Sequence, residues 1–208
     1  MTGIARLVGH AACTLALFQA WPAVAQDTGD TPSAKPGDYV VIDSEVGGFE
    51  GVRHLNIAAG DGNQQANIAS IATGDVAINT AAISQLGENT GPVPGRRYEA
   101  RISENAFAGS HGLTAINIVA GANNQQANIA MITTGLEGRV ASAAILSQTR
   151  ASSEPLSISD GPAKSEHIAR IDPGAFRDSS GIVQVSLIGG TGNSSANVAV
   201  LSMEAGTN

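Results

Sequence analysis

Cysteine is almost missing from this 208-residue sequence: Cys13 is the only one. A lone thiol excludes intrachain disulfides, the usual staple of small secreted domains. Aromatic residues make up only 3%, which leaves few large rings to fill a conventional core. The apolar 42% comes mainly from Ala, Ile, Val and Leu, small and β-branched residues that suit flat, closely stacked strands. Charge is sparse at 14%, and basic charge sparser still. Eleven Lys and Arg against eighteen Asp and Glu give a net charge of −7, with no basic cluster beyond Arg96-Arg97. Sequence-independent nucleic-acid binding needs a basic footprint, so nucleic acid is not an expected partner.

The first 25 residues have the layout of a secretory signal. Arg6 supplies a positive start, Ala11 to Ala20 is uncharged and mostly apolar, and Ala23-Val24-Ala25 forms a small-residue cleavage site before Gln26. The apolar run is too short to span a bilayer permanently. Cleavage there removes Arg6, Cys13 and Trp21 and leaves ten basic and eighteen acidic residues. The expected product is exported through the periplasm to the cell surface or beyond, without any cysteine.

Internal repetition is the strongest signal. Gly51 to Gly74 reads GVRHLNIAAGDGNQQANIASIATG, Gly112 to Gly135 reads GLTAINIVAGANNQQANIAMITTG, and Gly181 to Glu204 reads GIVQVSLIGGTGNSSANVAVLSME. The copies are offset by 61 and 69 residues, and 14 of the 19 positions from Asn56 to Gly74 are identical in the second copy. The flanks repeat too: Phe107 and Phe176 each stand five residues before an opening Gly, and Ala100-Arg101-Ile102 recurs as Ala169-Arg170-Ile171. Ala81-Ala82-Ile83-Ser84-Gln85 is echoed within Ala143 to Gln148. The layout is then a signal (1–25), a mostly disordered lead-in (26–50), repeat 1 (51–74), linker and flanks (75–111), repeat 2 (112–135), linker and flanks (136–180), repeat 3 (181–204) and a tail (205–208). Glu88 to Arg97 and Thr149 to Lys164, rich in Pro, Gly, Ser and charge, read as linkers.

Each copy reads as strand, Gly/Asn turn, strand, with apolar and amide residues alternating at period two. The apolar positions are Leu55, Ile57 and Ile68; Ile116, Ile118 and Ile129; Val185, Leu187 and Val198. Ala66 and Ile68 are read as continuing the face of Leu55 and Ile57. The opposite parity carries Asn63, Gln65 and Asn67, then Asn124, Gln126 and Asn128, then Asn193, Ser195 and Asn197. Gly60, Gly121 and Gly190 open the turns and tolerate positive φ. One hairpin is marginal in water, whereas copies stacked in register put Ile on Ile and amide on amide about 4.8 Å apart. A carboxamide both donates and accepts, so it can extend such a column in both directions. Stacked like charges would repel. Within 55–71, 116–132 and 185–201 the only charged residue is Asp61, in a turn. The expected fold is all-β: three imperfect strand–turn–strand repeats stacked as a short β-solenoid or cross-β unit, joined by disordered linkers.

Other signals carry less. His54, His111 and His167 occupy non-equivalent positions without metal-ligand spacing, so no metal site is expected. Gly189-Gly190-Thr191-Gly192 lacks the Lys-Ser/Thr of a phosphate loop, and Asn193-Ser194-Ser195 is a glycosylation sequon inside a repeat turn. No nucleophile motif is present. The reading is of a non-enzyme with no cofactor and no small-molecule substrate.

The words NIAAGDGNQQANIA, NIVAGANNQQANIA and SLIGGTGNSSANVA, with their spacing and flanks, resemble the Fap-type functional amyloid subunits of bacteria. In that family a secretion signal precedes three imperfect Gly-, Ala-, Asn- and Gln-rich repeats separated by variable linkers. The resemblance implies export through a dedicated outer-membrane pore. It also implies assembly, with itself and related amyloid subunits, into extracellular fibrils that support biofilm and adhesion. One departure is the absence of the Cys-x-Cys found near the C-terminus of several such subunits. The alternative reading is a soluble secreted β-solenoid acting as an adhesin or as an accessory of fibril assembly.

Overall fold

Segments rich in Ile, Val, Ala and Asn with period-two alternation form strands here, and Gly/Asn clusters break them. The computed structural model describes residues 36–43, 47–74, 77–88, 95–136, 140–151 and 164–205. The signal segment, most of the lead-in, and linker residues 89–94 and 152–163 lie outside the described residues.

Among the described residues, eleven strands are arranged as three rungs. Rung 1 comprises β1 (Gly37–Ile42), β2 (Glu50–Ala59), β3 (Gln64–Gly74) and β4 (Ala77–Glu88). Rung 2 comprises β5 (Arg97–Ile102), β6 (His111–Ala120), β7 (Gln125–Leu136) and β8 (Val140–Ala151). Rung 3 comprises β9 (Glu166–Ile171), β10 (Ser180–Gly189) and β11 (Ser194–Ala205). Among the described residues, strands pair between repeats, in parallel, as sheets β1-β5-β9, β2-β6-β10, β3-β7-β11 and β4-β8. The described residues form an all-β, solenoid-like stack.

Register follows the sequence repeats. Asn56 pairs with Asn117 and Asn117 with Ser186, while Asn67, Asn128 and Asn197 form one line across the third sheet. Because rung 2 is covered above and below, its repeat is buried almost throughout: Ile116, Ile118, Ala127, Asn128 and Ile129 are all fully enclosed. Burying each such Ile stabilises by roughly 1.5–3 kcal/mol.

The structure departs from the sequence reading in three respects. First, the strand–turn–strand unit is an arch rather than a hairpin, since β2 and β3 pair with other rungs and not with each other. The two strands of an arch turn their outer faces in opposite directions. Leu55 and Ile57 therefore pack against Val40, Ile42, Ala100 and Ile102, whereas Ala66 and Ile68 pack against Ala81 and Ile83. They do not share a face. Second, ranges read as lead-in, linker and flanks contain β1, β4, β5, β8 and β9. Among the described residues, these segments cover the first two arches on both sides and the third on one, which removes the need for charge on the covered faces of the repeats. Third, the echo after repeats 1 and 2 aligns from its Ser-Gln end, with Ser84 on Ser147, Gln85 on Gln148 and Ile83 on Leu146.

The turn glycines show how closely the rungs approach. Gly121 has φ of +138°, and a Cβ added there would lie 1.8 Å from the carbonyl oxygen of Gly190. A Cβ on Gly60 would lie 2.2 Å from the oxygen of Gly121. No side chain fits between stacked arches. By contrast Gly109, with φ of +64°, has no neighbour within 4 Å of its Cβ position. Gly121→Ala should therefore lower the stability of the monomer by more than about 2 kcal/mol, and Gly109→Ala by about 1 kcal/mol. Urea unfolding of the two variants checks this, and equal midpoints would contradict the stacking of arches.

Candidate functional site

The amides lie inside the arches. In rung 1 the Asn67 side chain donates from Nδ2 to the carbonyl of Leu55 (3.3 Å), in rung 2 Asn128 donates to Ile116 (3.1 Å), and in rung 3 Asn197 donates to Val185 (3.1 Å). Each closes its arch at the same place. Gln65 and Gln126 repeat the device one pair of residues earlier, donating to Ile57 and Ile118 at 3.0 Å each. Ser195, which occupies this position in rung 3, has too short a side chain to reach so far.

The same side chains join the rungs. Asn197 donates to Oδ1 of Asn128 (2.8 Å), and Asn128 donates to Oδ1 of Asn67 (2.9 Å). In the turn column Asn193 donates to Asn124 and Asn124 to Asn63, both at 3.0 Å. The Gln column runs the other way: Gln65 donates to Gln126 (2.7 Å), which donates to the Ser186 hydroxyl (2.9 Å). All the amide and serine positions singled out from sequence lie along this interior, and those of rung 2 are buried with hydrogen-bond partners. Eight of the nine apolar positions separate into two cores, Leu55, Ile57, Ile116, Ile118, Val185 and Leu187 in one and Ile68 and Ile129 in the other, whereas Val198 is exposed.

Sequence reading underweighted several amides that belong to the network. Asn56 and Asn117 accept from Asn67 (2.8 Å) and Asn128 (2.9 Å), so two columns zip into one. Their identity in the first two copies is a usable signal. Gln85 donates to the carbonyl of Gln126 (3.0 Å) and accepts from Gln148 (2.7 Å), forming a further column in the fourth sheet. The Ser84-Gln85 and Ser147-Gln148 echo marks it.

Aromatic and charged side chains also stack. Phe107 lies on Phe176 with centroids 5.3 Å apart, and Tyr98 on His167 at 5.1 Å. In the β1-β5-β9 sheet, Arg101 of rung 2 bonds Asp172, the residue after β9 in rung 3, and Arg170 approaches Asp172 at 2.7 Å. The hydrogen bond from Arg101, reinforced by the charges of Arg101 and Arg170, holds the Asp172 carboxyl below its ordinary range. The sign of the linkage is fixed by that direction. This contribution is present above the unfolded pKa of about 3.9 and is lost as pH falls through the lower folded value. Burial pushes the His54 imidazole down, and its Nε2 is enclosed without a hydrogen-bond partner among the described residues. Among the described residues no group of His, Cys, Asp and Glu could hold a metal ion.

An amide at position 128 serves as a donor to three acceptors, the side chains of Asn67 and Asn117 and the carbonyl of Ile116. Asn128→Asp would place a carboxylate against all three. The folded pKa of that carboxyl must rise, so the cost, about 3 kcal/mol or more at pH 7, should shrink as the medium is acidified toward pH 4. Denaturation at the two pH values checks the sign; a cost independent of pH would contradict the geometry.

Fold and columns together define a class: a short parallel β-solenoid made of in-register rungs, cross-linked by interior amides. The model of the Functional amyloid protein FapB/FapC family matches residues 20–204, and the chain belongs to that family. It is thus a member of a functional amyloid family. No solved structure matches it.

Proposed function

We propose that the chain is a secreted structural subunit that stacks end to end with further copies of itself and with related subunits. The fibrils it forms are extracellular, support a biofilm matrix and cell-surface adhesion, and are reached by export through an outer-membrane pore. Membership of a functional amyloid family supports this reading. The observation that carries it is the contrast between the middle rung and the outer ones. Leu113 in rung 2 is 4% exposed, whereas its column neighbour Val52 in rung 1 is 49% exposed. Ile71 of rung 1 and Leu201 of rung 3, on either side of Ile132, are exposed in the same way. Among the described residues, β2 and β3 on one side and β10 and β11 on the other each pair with one neighbour only.

Unpaired edges with matching columns are templates for another copy. The two ends differ, so the contact is heterologous and grows a filament instead of closing a dimer. The columns have a direction as well. Asn193 and Asn197 donate toward rung 2, which turns their Oδ1 atoms to the next rung, where Asn63 and Asn67 of a second copy bring amide donors. The interior chemistry supplies stacking and hydrogen bonding, and on this reading polymerisation itself is the activity.

The purified chain should become thioflavin-positive and give fibre diffraction with a meridional reflection near 4.8 Å, on the order of the strand spacing. A persistent monomer without cross-β reflections would favour a soluble adhesin or assembly accessory instead. Replacing Asn67, Asn128 and Asn197 together by Asp should slow assembly by at least about tenfold near neutral pH, since three carboxylates would then share one column. Unchanged kinetics would remove the amide columns from the account.

A further inference from the structure

We infer, building on end-to-end stacking, that the joint between copies carries an ionic clamp in which Arg170 of one copy receives Asp43 of the next, with Asp38 of the next copy set over His167. Register dictates the placement. β1 pairs with β5 and β5 with β9, so that Asp38, Tyr98 and His167 form one column and Val41, Arg101 and Arg170 another. A second copy continuing the sheet seats its β1 on β9. Its Asp38 then falls on His167, and its Val41 on Arg170, with Asp43 two residues further along.

The molecule already contains the contact that the joint would reproduce. Arg101 reaches one rung up and two residues on to bond Asp172. Arg170 occupies the Arg101 position one rung later, and its side chain is 62% exposed. Asp43 of the arriving copy follows β1 as Asp172 follows β9, and is therefore placed against Arg170 as Asp172 is against Arg101. The exposed Asp43 side chain and the exposed guanidinium have opposite charge. Asp38 offers a parallel case. Within its own copy it accepts from Arg96 (2.7 Å) across one rung boundary, and at the joint it meets the upper face of the exposed His167 ring.

The charges are distributed for one polarity. β1 and the residue after it carry Asp38 and Asp43, whereas β9 carries His167 and Arg170, with Glu166 facing Gly37 of the second copy. Joining rung 1 to rung 1 would bring together two β1 edges that carry Asp38 and Asp43 and no cation, and joining rung 3 to rung 3 would bring together two β9 edges and leave both Asp43 carboxylates without Arg170. Exposed ion pairs contribute little to affinity, but juxtaposed like charges discriminate strongly against wrong partners and slow association. The clamp therefore sets direction and elongation rate more than fibre stability.

Seeded elongation tests this with two single variants and their combination. Asp43→Lys monomer added to seeds of the unaltered chain should elongate about tenfold more slowly than unaltered monomer, the deficit shrinking at high salt. Because each added copy restores Arg170 at the growing end, the seed variants are read in the first layer alone, as capture of labelled monomer before further growth. On Arg170→Glu seeds the preference in that layer should reverse, Asp43→Lys monomer outpacing the unaltered one. Because a second carboxylate beside Asp172 weakens the fold, Arg170→Gln seeds provide a second measurement, and they should capture both monomers equally. Equal capture of both monomers on unaltered seeds, or a first-layer Asp43→Lys deficit of the same size on all three seeds, would overturn the clamp. Failure of the unaltered chain to elongate at all would instead overturn end-to-end stacking, so the two failures are distinguishable.

Discussion

Parallel in-register pairing is the constraint on which the rest of the structure depends. When rung lies on rung, each residue faces its counterpart at close range, and only certain residue types tolerate that. Ile on Ile gains buried area, an amide on an amide gains a hydrogen bond, and glycine on glycine permits arches to touch. Charge on like charge gains nothing. The segments 55–71, 116–132 and 185–201 follow this restriction, with Asp61 in a turn as their only charge. Where charge does stack, in the β1-β5-β9 sheet, opposite charge offsets it: Arg97 lies beside Glu166, and Arg101 and Arg170, paired in register, share Asp172 between them.

Amides in this interior serve two purposes at once. Buried polar groups are costly unless hydrogen-bonded, and a partly satisfied polar layer is worse than an apolar one. Here Nδ2 of Asn128 reaches a backbone carbonyl of its own arch and side chains of its own and the neighbouring rung. The layer thus fixes the arch and the register together. Apolar contacts alone would tolerate a slip along the strand by two residues, since Ile57 and Leu55 are interchangeable in shape. Asn67, Asn128 and Asn197 would not, because a slip breaks every side-chain bond in the column. Stability comes mainly from the two apolar cores, and uniqueness from the amides between them.

Much of this is legible in the sequence, because the repeat offsets are the register. The identity of Asn67, Asn128 and Asn197 at offsets of 61 and 69 residues marks the column on its own. The covering strands are harder to see. β5 (RYEARI) and β9 (EHIARI) repeat Ala-Arg-Ile, but β1 (GDYVVI) shares with them only its final Ile and an apolar parity, since the residues facing outward are free to vary in a solvated sheet. Their lengths of six residues give weak periodicity, and neighbouring Pro- and Gly-rich stretches point to linker. The arch geometry is not legible either. Alternation gives parity along one strand, but whether a Gly/Asn turn folds the strands into a hydrogen-bonded hairpin or opens them into an arch depends on partners elsewhere in the chain.

The central claim is that three rungs of one chain form a continuous block and that the next copy adds a further block on the same axis. The helical rise per subunit in the assembled fibre, measured by electron cryomicroscopy, tests this most directly. Three rungs per copy predict a rise of about 14 Å, three times the ~4.8 Å strand spacing. A rise of about 4.8 Å, with each chain laid flat in a single layer and its repeats in different places, would contradict the account.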